Sequence, residues 1–145
     1  APDRAGVDRQ RRDHPGFVPV AARLADVELF DAEFFGIGAR EAQALDPQHR
    51  LLLEGARNAL ESAGYDPRRV DGEVGVFFGV SPSQYLQHHL LPRPDVMERL
   101  GDDYIVFGNH ASYASTRVAH AFGLRGPVLS LDTACSSSLV AVHLA

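Results

Sequence analysis

The chain has 145 residues, of which 45% are hydrophobic and 23% charged, and its formal net charge is −5. These values exclude a disordered tail and fit one globular unit, too short for two sizeable domains. The one dense basic run, Arg9 to Arg12 around Gln10, is too short a patch to predict binding to nucleic acid or a membrane surface.

A single cysteine, Cys135, rules out an internal disulfide framework and a thiolate metal cage, so a reducing, cytoplasmic setting is expected. Apolar runs extend for only a few residues, far short of the roughly 20 that a membrane helix needs. The opening is rich in Arg and Asp, unlike a secretory signal. It reads as a polar leader over residues 1–22, with the folded part at 23–145. The chain stops at Ala145 inside a helical pattern with no Gly or Pro beyond it, so a fragment of a larger domain is expected.

In chain order, residues 26–35 gather Leu29, Phe30, Phe34 and Phe35, which predicts a short irregular or helical segment packed on a core. A helix is predicted over 47–63. Asp46 suits the N-cap, Pro47 the first helical position and Gly64 a left-handed stop. Leu52, Ala56, Ala59 and Ala63 fall on one face, with Leu53 and Leu60 widening it. Residues 74–80 (VGVFFGV) form a continuous apolar run that suits a strand buried on both faces. Residues 81–108 carry Pro82, Pro92 and Pro94 amid mixed polarity and read as a loop with one or two short helices. A helix over 111–122 closes at Gly123, Gly126-Pro127 turns the chain, and 128–132 reads as a second buried strand. A further helix follows, through Ser138, Val142 and Ala145.

The junction between that second strand and the last helix holds Cys135, flanked by Thr133, Ala134, Ser136 and Ser137. Small neighbours permit a sharp turn that presents one side chain at a helix start, the logic of the serine elbow of hydrolases without its G-x-S-x-G. A helix N-terminus favours the nucleophilic thiolate, but by at most about 2 kcal/mol, so further activation has to come from other groups. On spacing alone a buried structural thiol explains Cys135 equally well.

Longer stretches separate the two readings. Asp132 to Ala145 (DTACSSSLVAVHLA) resembles the active-site signature of modular type I ketosynthases nearly residue for residue. Phe30 to Ile37 (FDAEFFGI), Asp46 to Glu54 (DPQHRLLLE) and Gly123 to Pro127 (GLRGP) are similar to the same family in order and spacing. The resemblance, which covers about Arg23 to Ala145, implies an α/β, thiolase-like fold with αβαβα layers, of which this chain is the N-terminal half only. It implies a β-ketoacyl synthase of a polyketide synthase, an acyltransferase that joins a cysteine-bound acyl chain to a malonyl-type extender by decarboxylative Claisen condensation. Cys135 is then the acylated nucleophile, and its own backbone N–H one oxyanion donor. Two catalytic histidines, a lysine and the second oxyanion donor belong to the family's C-terminal half. No cofactor or metal is implied in this domain. The substrates ride on the phosphopantetheine of an acyl carrier protein, and a homodimer and other synthase domains are the remaining partners. Gly38-Ala39 stands where the family usually has Ser-Pro, the family's opening apolar strand is missing, and the leader matches poorly.

The other polar residues are expected to be structural. Asp46 is an N-cap, and Arg50 and Arg117 are expected to hold buried carbonyls or carboxylates. Glu54 and Glu61 have no second carboxylate arranged for acid–base work, and Ser136, Ser137 and Ser138 are explained by size and capping. His143 lies eight residues past Cys135, about 12 Å along a helix, too far to be its base. His49 is expected to be structural and His88 and His89 exposed. His110 and His120 flank the third helix without metal-ligand spacing, and His14 falls in the leader. A loading-module decarboxylase or a non-catalytic dimer partner of this family usually lacks the cysteine, whereas a silent elongation domain that keeps it differs only past Ala145. Half of such a fold exposes apolar surface, so the chain alone is expected to be inactive and to fold poorly.

Overall fold

The computed structural model describes residues 9–18, 20 and 24–145. The leader expected over 1–22 and the start of the folded part at residue 23 therefore lie partly outside the described residues, and within the leader Arg9–Arg12 forms one helical turn (α1).

The aromatic segment folds as successive turns. The Phe34 N–H bonds Asp31 Oδ1 at 3.1 Å, and Phe30 and Phe35 stack with ring centroids 5.2 Å apart. Phe35 meets Phe122 edge-on, which joins this cluster to the main core. A short helix, α2 (Ala39–Ala44), leads into α3 (Pro47–Ser62). Asp46 Oδ1 accepts the Gln48 N–H at 2.7 Å, Pro47 fills the first helical position, and Gly64 follows with φ of 82°. The buried face of α3 centres on Leu53 and His49, flanked by Leu52, Ala56 and Leu60. Ala59 and Ala63, expected on that face, are exposed. Their methyl groups carry too little area to decide which side of the helix is covered, and Leu53 decides it.

Two parallel strands form the sheet. β1 (Val76–Gly79) and β2 (Val128–Leu131) pair from Val76 with Val128 to Gly79 with Leu131. The crossover includes α6 (Ser112–Phe122), which packs against both strands and α3, while α7 (Ser137–Leu144) packs mainly on β1. Ser115, fully buried on α6, donates from Oγ to the Leu129 carbonyl at 2.8 Å. Leu53, Val76, Val118, Ala119 and Phe122 form the main core. Both strands were expected to be buried. Val76 and Val80 are, but Val128 and Leu129 remain 37% and 39% exposed. A parallel strand is covered only where helices lie on both of its faces, and α7 leaves the start of β2 open. An apolar groove of about 560 Å³ runs along β1 between Leu52 and Ala56 of α3 and Ala141 and Val142 of α7.

Residues 81–108 carry the short helices expected there, with little loop between them. They hold a π-helical turn (Leu86–Leu90), α4 (Pro94–Leu100) and α5 (Asp102–Asn109). Leu90, Leu100 and Ile105 bury against Ala44 of α2 in a second small core. Asn109 ties this unit together. It accepts from Ser83 Oγ at 2.9 Å and donates to the Ala44 and Ile105 carbonyls at 2.8 and 2.9 Å. Asn109→Leu keeps the volume but strands those buried groups, so a loss of about 2 kcal/mol is expected in a urea unfolding curve. An unchanged midpoint would show the network to be dispensable. No helix among the described residues is long and apolar enough to cross a membrane.

Candidate active site

β2 runs through Asp132 and Thr133 into a single 3₁₀ turn, Ala134–Ser136, and α7 begins at Ser137. Cys135 sits at the crest of this turn and is exposed, so it is not a buried structural thiol here. Ala134, just before it, has φ of 52°, in the left-handed region that a residue with a Cβ adopts at a cost of about 1–2 kcal/mol. Side chains hold the turn. Asp132 Oδ1 accepts the Ala134 N–H at 3.0 Å, and Ser136 Oγ lies 2.8 Å from the Thr133 carbonyl and 2.9 Å from Thr133 Oγ1. Ser137, buried, accepts the Thr133 N–H at 2.9 Å and donates to the Ala134 carbonyl at 2.8 Å, both through Oγ. The serines thus tie the loop back on itself, and neither caps α7 by accepting from its first free amides.

α7 can lie this close because β1 ends in Gly79, where a Cβ would stand 2.6 Å from Ser137 Cβ. The Cys135 backbone N–H is tied to no acceptor among the described residues. The axis of α7 starts two residues on, so its amide ends face the turn.

No other residue singled out in the sequence bonds to Cys135. His143 is exposed two turns along α7, and His14, His88, His89, His110 and His120 are exposed elsewhere. His49 is 1% exposed in the core of α3, with no partner for Nδ1. Burial, and next the Arg117 charge, lower its pKa from 6.5 to about 4 against the opposing effect of Asp46. Arg50 donates from Nε and Nη2 to the Leu45 carbonyl at 3.0 and 2.7 Å, and Arg117 pairs with Glu41 and reaches the Phe107 carbonyl. Both arginines hold carbonyls or carboxylates, as expected. Glu61 pairs with Arg57 on the surface of α3. Sequence reasoning missed the Ala134 backbone and the role of Gly79. The small residues around Cys135 signal a tight turn but not which one bears the strain.

A parallel sheet that delivers one exposed side chain at a strained strand-to-helix turn defines the chain as an α/β protein with a nucleophile-elbow geometry. Residues 2–145 match the family described as β-ketoacyl synthase, N-terminal domain, and the chain belongs to that family. It is 49% identical to a phenolphthiocerol/phthiocerol polyketide synthase of Mycobacterium tuberculosis, over 97% of this chain and 10% of that protein. It is equally identical to an erythronolide synthase of Saccharopolyspora erythraea, over 92% of this chain and 4% of that protein. Among solved structures, the module 6 ketosynthase of the bacillaene synthase from Bacillus subtilis 168 superimposes with a TM-score of 0.63 at 36% identity, covering 84% of this chain and 19% of that one. The fold is therefore the thiolase-like fold of ketosynthases, represented by its N-terminal half. The chain spans a tenth or less of these curated relatives and about a fifth of the solved ketosynthase.

Proposed function

We propose that this chain supplies the acyl-accepting half of a polyketide-synthase ketosynthase, with Cys135 as the nucleophile. The observation that carries the reading is the exposed cysteine on a strained turn at the start of α7, in a chain of this family. In the first half-reaction the Cys135 thiolate attacks the carbonyl carbon of an acyl thioester borne on the phosphopantetheine of a carrier protein. A C–S bond forms at Cys135 as the carrier's C–S bond breaks, and the carrier thiolate leaves and takes up the proton that Cys135 lost on ionising. In the second, a malonyl-type thioester loses CO₂, and its carbanion attacks the Cys135 thioester. The new C–C bond forms as the Cys135 C–S bond breaks, and the thiol is regenerated. The Cys135 N–H supports the tetrahedral oxyanion in both halves, and such a donor is worth about 10²–10³ in rate. The histidines that complete the chemistry belong to the remainder of the domain, and a carrier protein, a second ketosynthase and neighbouring synthase domains are the partners.

The test is intact-mass analysis of a complete ketosynthase domain carrying this chain after exposure to an acyl-thioester donor, beside Cys135→Ala. One acyl increment is expected in the parent and none in the variant. An increment that survives the substitution places the acceptor elsewhere, and a folded parent that never loads refutes the reading.

A further inference from the structure

From the geometry of the turn we infer that Ser137 is a positioning residue for Cys135, holding Ala134 in its left-handed conformation so that the thiol stands at the crest of the turn. The inference rests on the reading of Cys135 as the acylated nucleophile and deepens it. Ala134 carries positive φ without being glycine, so its conformation has to be imposed by its surroundings. The Ser137 hydroxyl spans the strained residue. It accepts the N–H of Thr133 before it and donates to the carbonyl of Ala134 itself. Its side chain is buried and has no freedom to wander, because it is pressed against Gly79, where any Cβ would meet its own Cβ at 2.6 Å. Ser136 has no such reach, since its hydroxyl touches only Thr133. Without the Ser137 hydroxyl only Asp132 still holds the Ala134 backbone, so Ala134 returns to negative φ more often, which redirects the next residue and lowers the fraction of molecules with Cys135 presented.

The test uses a complete ketosynthase domain carrying this chain, as the parent and as Ser136→Ala, Ser137→Ala, Ala134→Gly and the A134G/S137A double variant. Acylation of Cys135 is followed by mass at varied donor concentration. Ser137→Ala is expected to lower the acylation rate at saturating donor about tenfold, the scale of relieving one strained backbone residue, with the half-saturating donor concentration unchanged. Ser136→Ala, whose hydroxyl bonds only Thr133 and not the Ala134 backbone in the parent, is expected to lower the rate less than Ser137→Ala does. Glycine adopts positive φ freely, so A134G/S137A is expected to recover to within about threefold of Ala134→Gly alone. A Ser137→Ala protein as fast as the parent overturns the inference, as does a folded double variant that stays as slow as Ser137→Ala. Should Ser137→Ala melt below the assay temperature, the Ala134→Gly and A134G/S137A pair decides, and a gap above threefold between them refutes the clamp. A parent that takes no acyl group refutes the acylation reading instead. In that case the iodoacetamide rate at Cys135 across the same proteins still tests the clamp, with the same expected pattern.

Discussion

Gly126→Ala is expected to lower the unfolding free energy of the ketosynthase domain by roughly 3 kcal/mol or more, the upper end for overpacking a site that cannot yield. A Cβ at Gly126 would stand 2.5 Å from the Gly75 nitrogen and the Val74 carbonyl carbon, and 2.7 Å from the Val74 oxygen. All three are backbone atoms of the segment that enters β1, so no side chain can swing aside. That segment is held by the hydrogen bonds that open the sheet. The Gly126 N–H donates to Val74 at 3.0 Å, and the Val76 N–H donates to Pro127 at 2.7 Å. Making room for one methyl group means separating β1 from β2 at their first rung. Gly55, mid-helix on α3 with nothing within 4 Å of its added Cβ, is the control. Gly55→Ala is expected to be neutral or stabilising by up to about 1 kcal/mol, because alanine is the better helix former. Urea midpoints of the three proteins check both statements, and equal midpoints for Gly126→Ala and the parent would refute the first.

Acid is expected to weaken the protein through His49. Its pKa is about 4 in the fold, lowered first by burial and then by Arg117 from α6, with the Asp46 carboxylate opposing, against 6.5 in the unfolded chain. Above pH 6.5 neither state holds the proton, so His49 contributes no pH dependence there. As pH falls from 6.5 toward 4 the unfolded chain takes the proton and the folded chain does not, so stability drops. Below 4 both states are protonated and the loss levels off at about 3 kcal/mol, at about 1.4 kcal/mol per pKa unit. His49→Gln removes this component. Unfolding free energies at pH 7.5 and pH 4 are expected to differ by about 3 kcal/mol more in the parent than in the variant. Parallel pH profiles for the two proteins would show that His49 is not the titrating group.

What was legible in the sequence was mostly local. Asp46 and Pro47 announce α3 because a cap and a first-turn proline act within a few residues, and the hydrogen bond from Gln48 to Asp46 is found where expected. The strand-to-helix junction at Cys135 was legible for the same reason, since small residues between an apolar run and a helical run leave little other choice. The α4–α5 unit was legible as short helices within 81–108 but not as a second small core. Its helices are short and divided at Pro94 and Gly101, and their apolar residues satisfy one another and Ala44 rather than forming one long stripe. The exposure of Val128 and Leu129 also escaped the pattern, because an apolar run records what a strand suits and not how much of it is covered. The same holds for α7. It is apolar on nearly every side, yet Leu139 and Val142 are 77% and 76% exposed. The left-handed Ala134 had no signal in composition at all, since its conformation is imposed by Ser137 and Asp132.

The parallel pairing of β1 with β2 bears on how the protein is made. Val76 and its partner Val128 are 52 residues apart, so joining them closes a long loop at a cost of about 3.5 kcal/mol on a logarithmic scale. At 5–20 residues per second, β1 leaves the ribosome roughly 3–10 s before β2 does. Throughout that interval Val76, Phe77 and Phe78 lack their β2 partner, while α3 is already complete and α4 and α5 follow before β2 is made. The expected order within this chain is therefore helices before the β1–β2 pair, with the cysteine turn formed once β2 has docked. Pulse labelling of Cys135 on stalled nascent chains would show its reactivity change only after the sheet has closed.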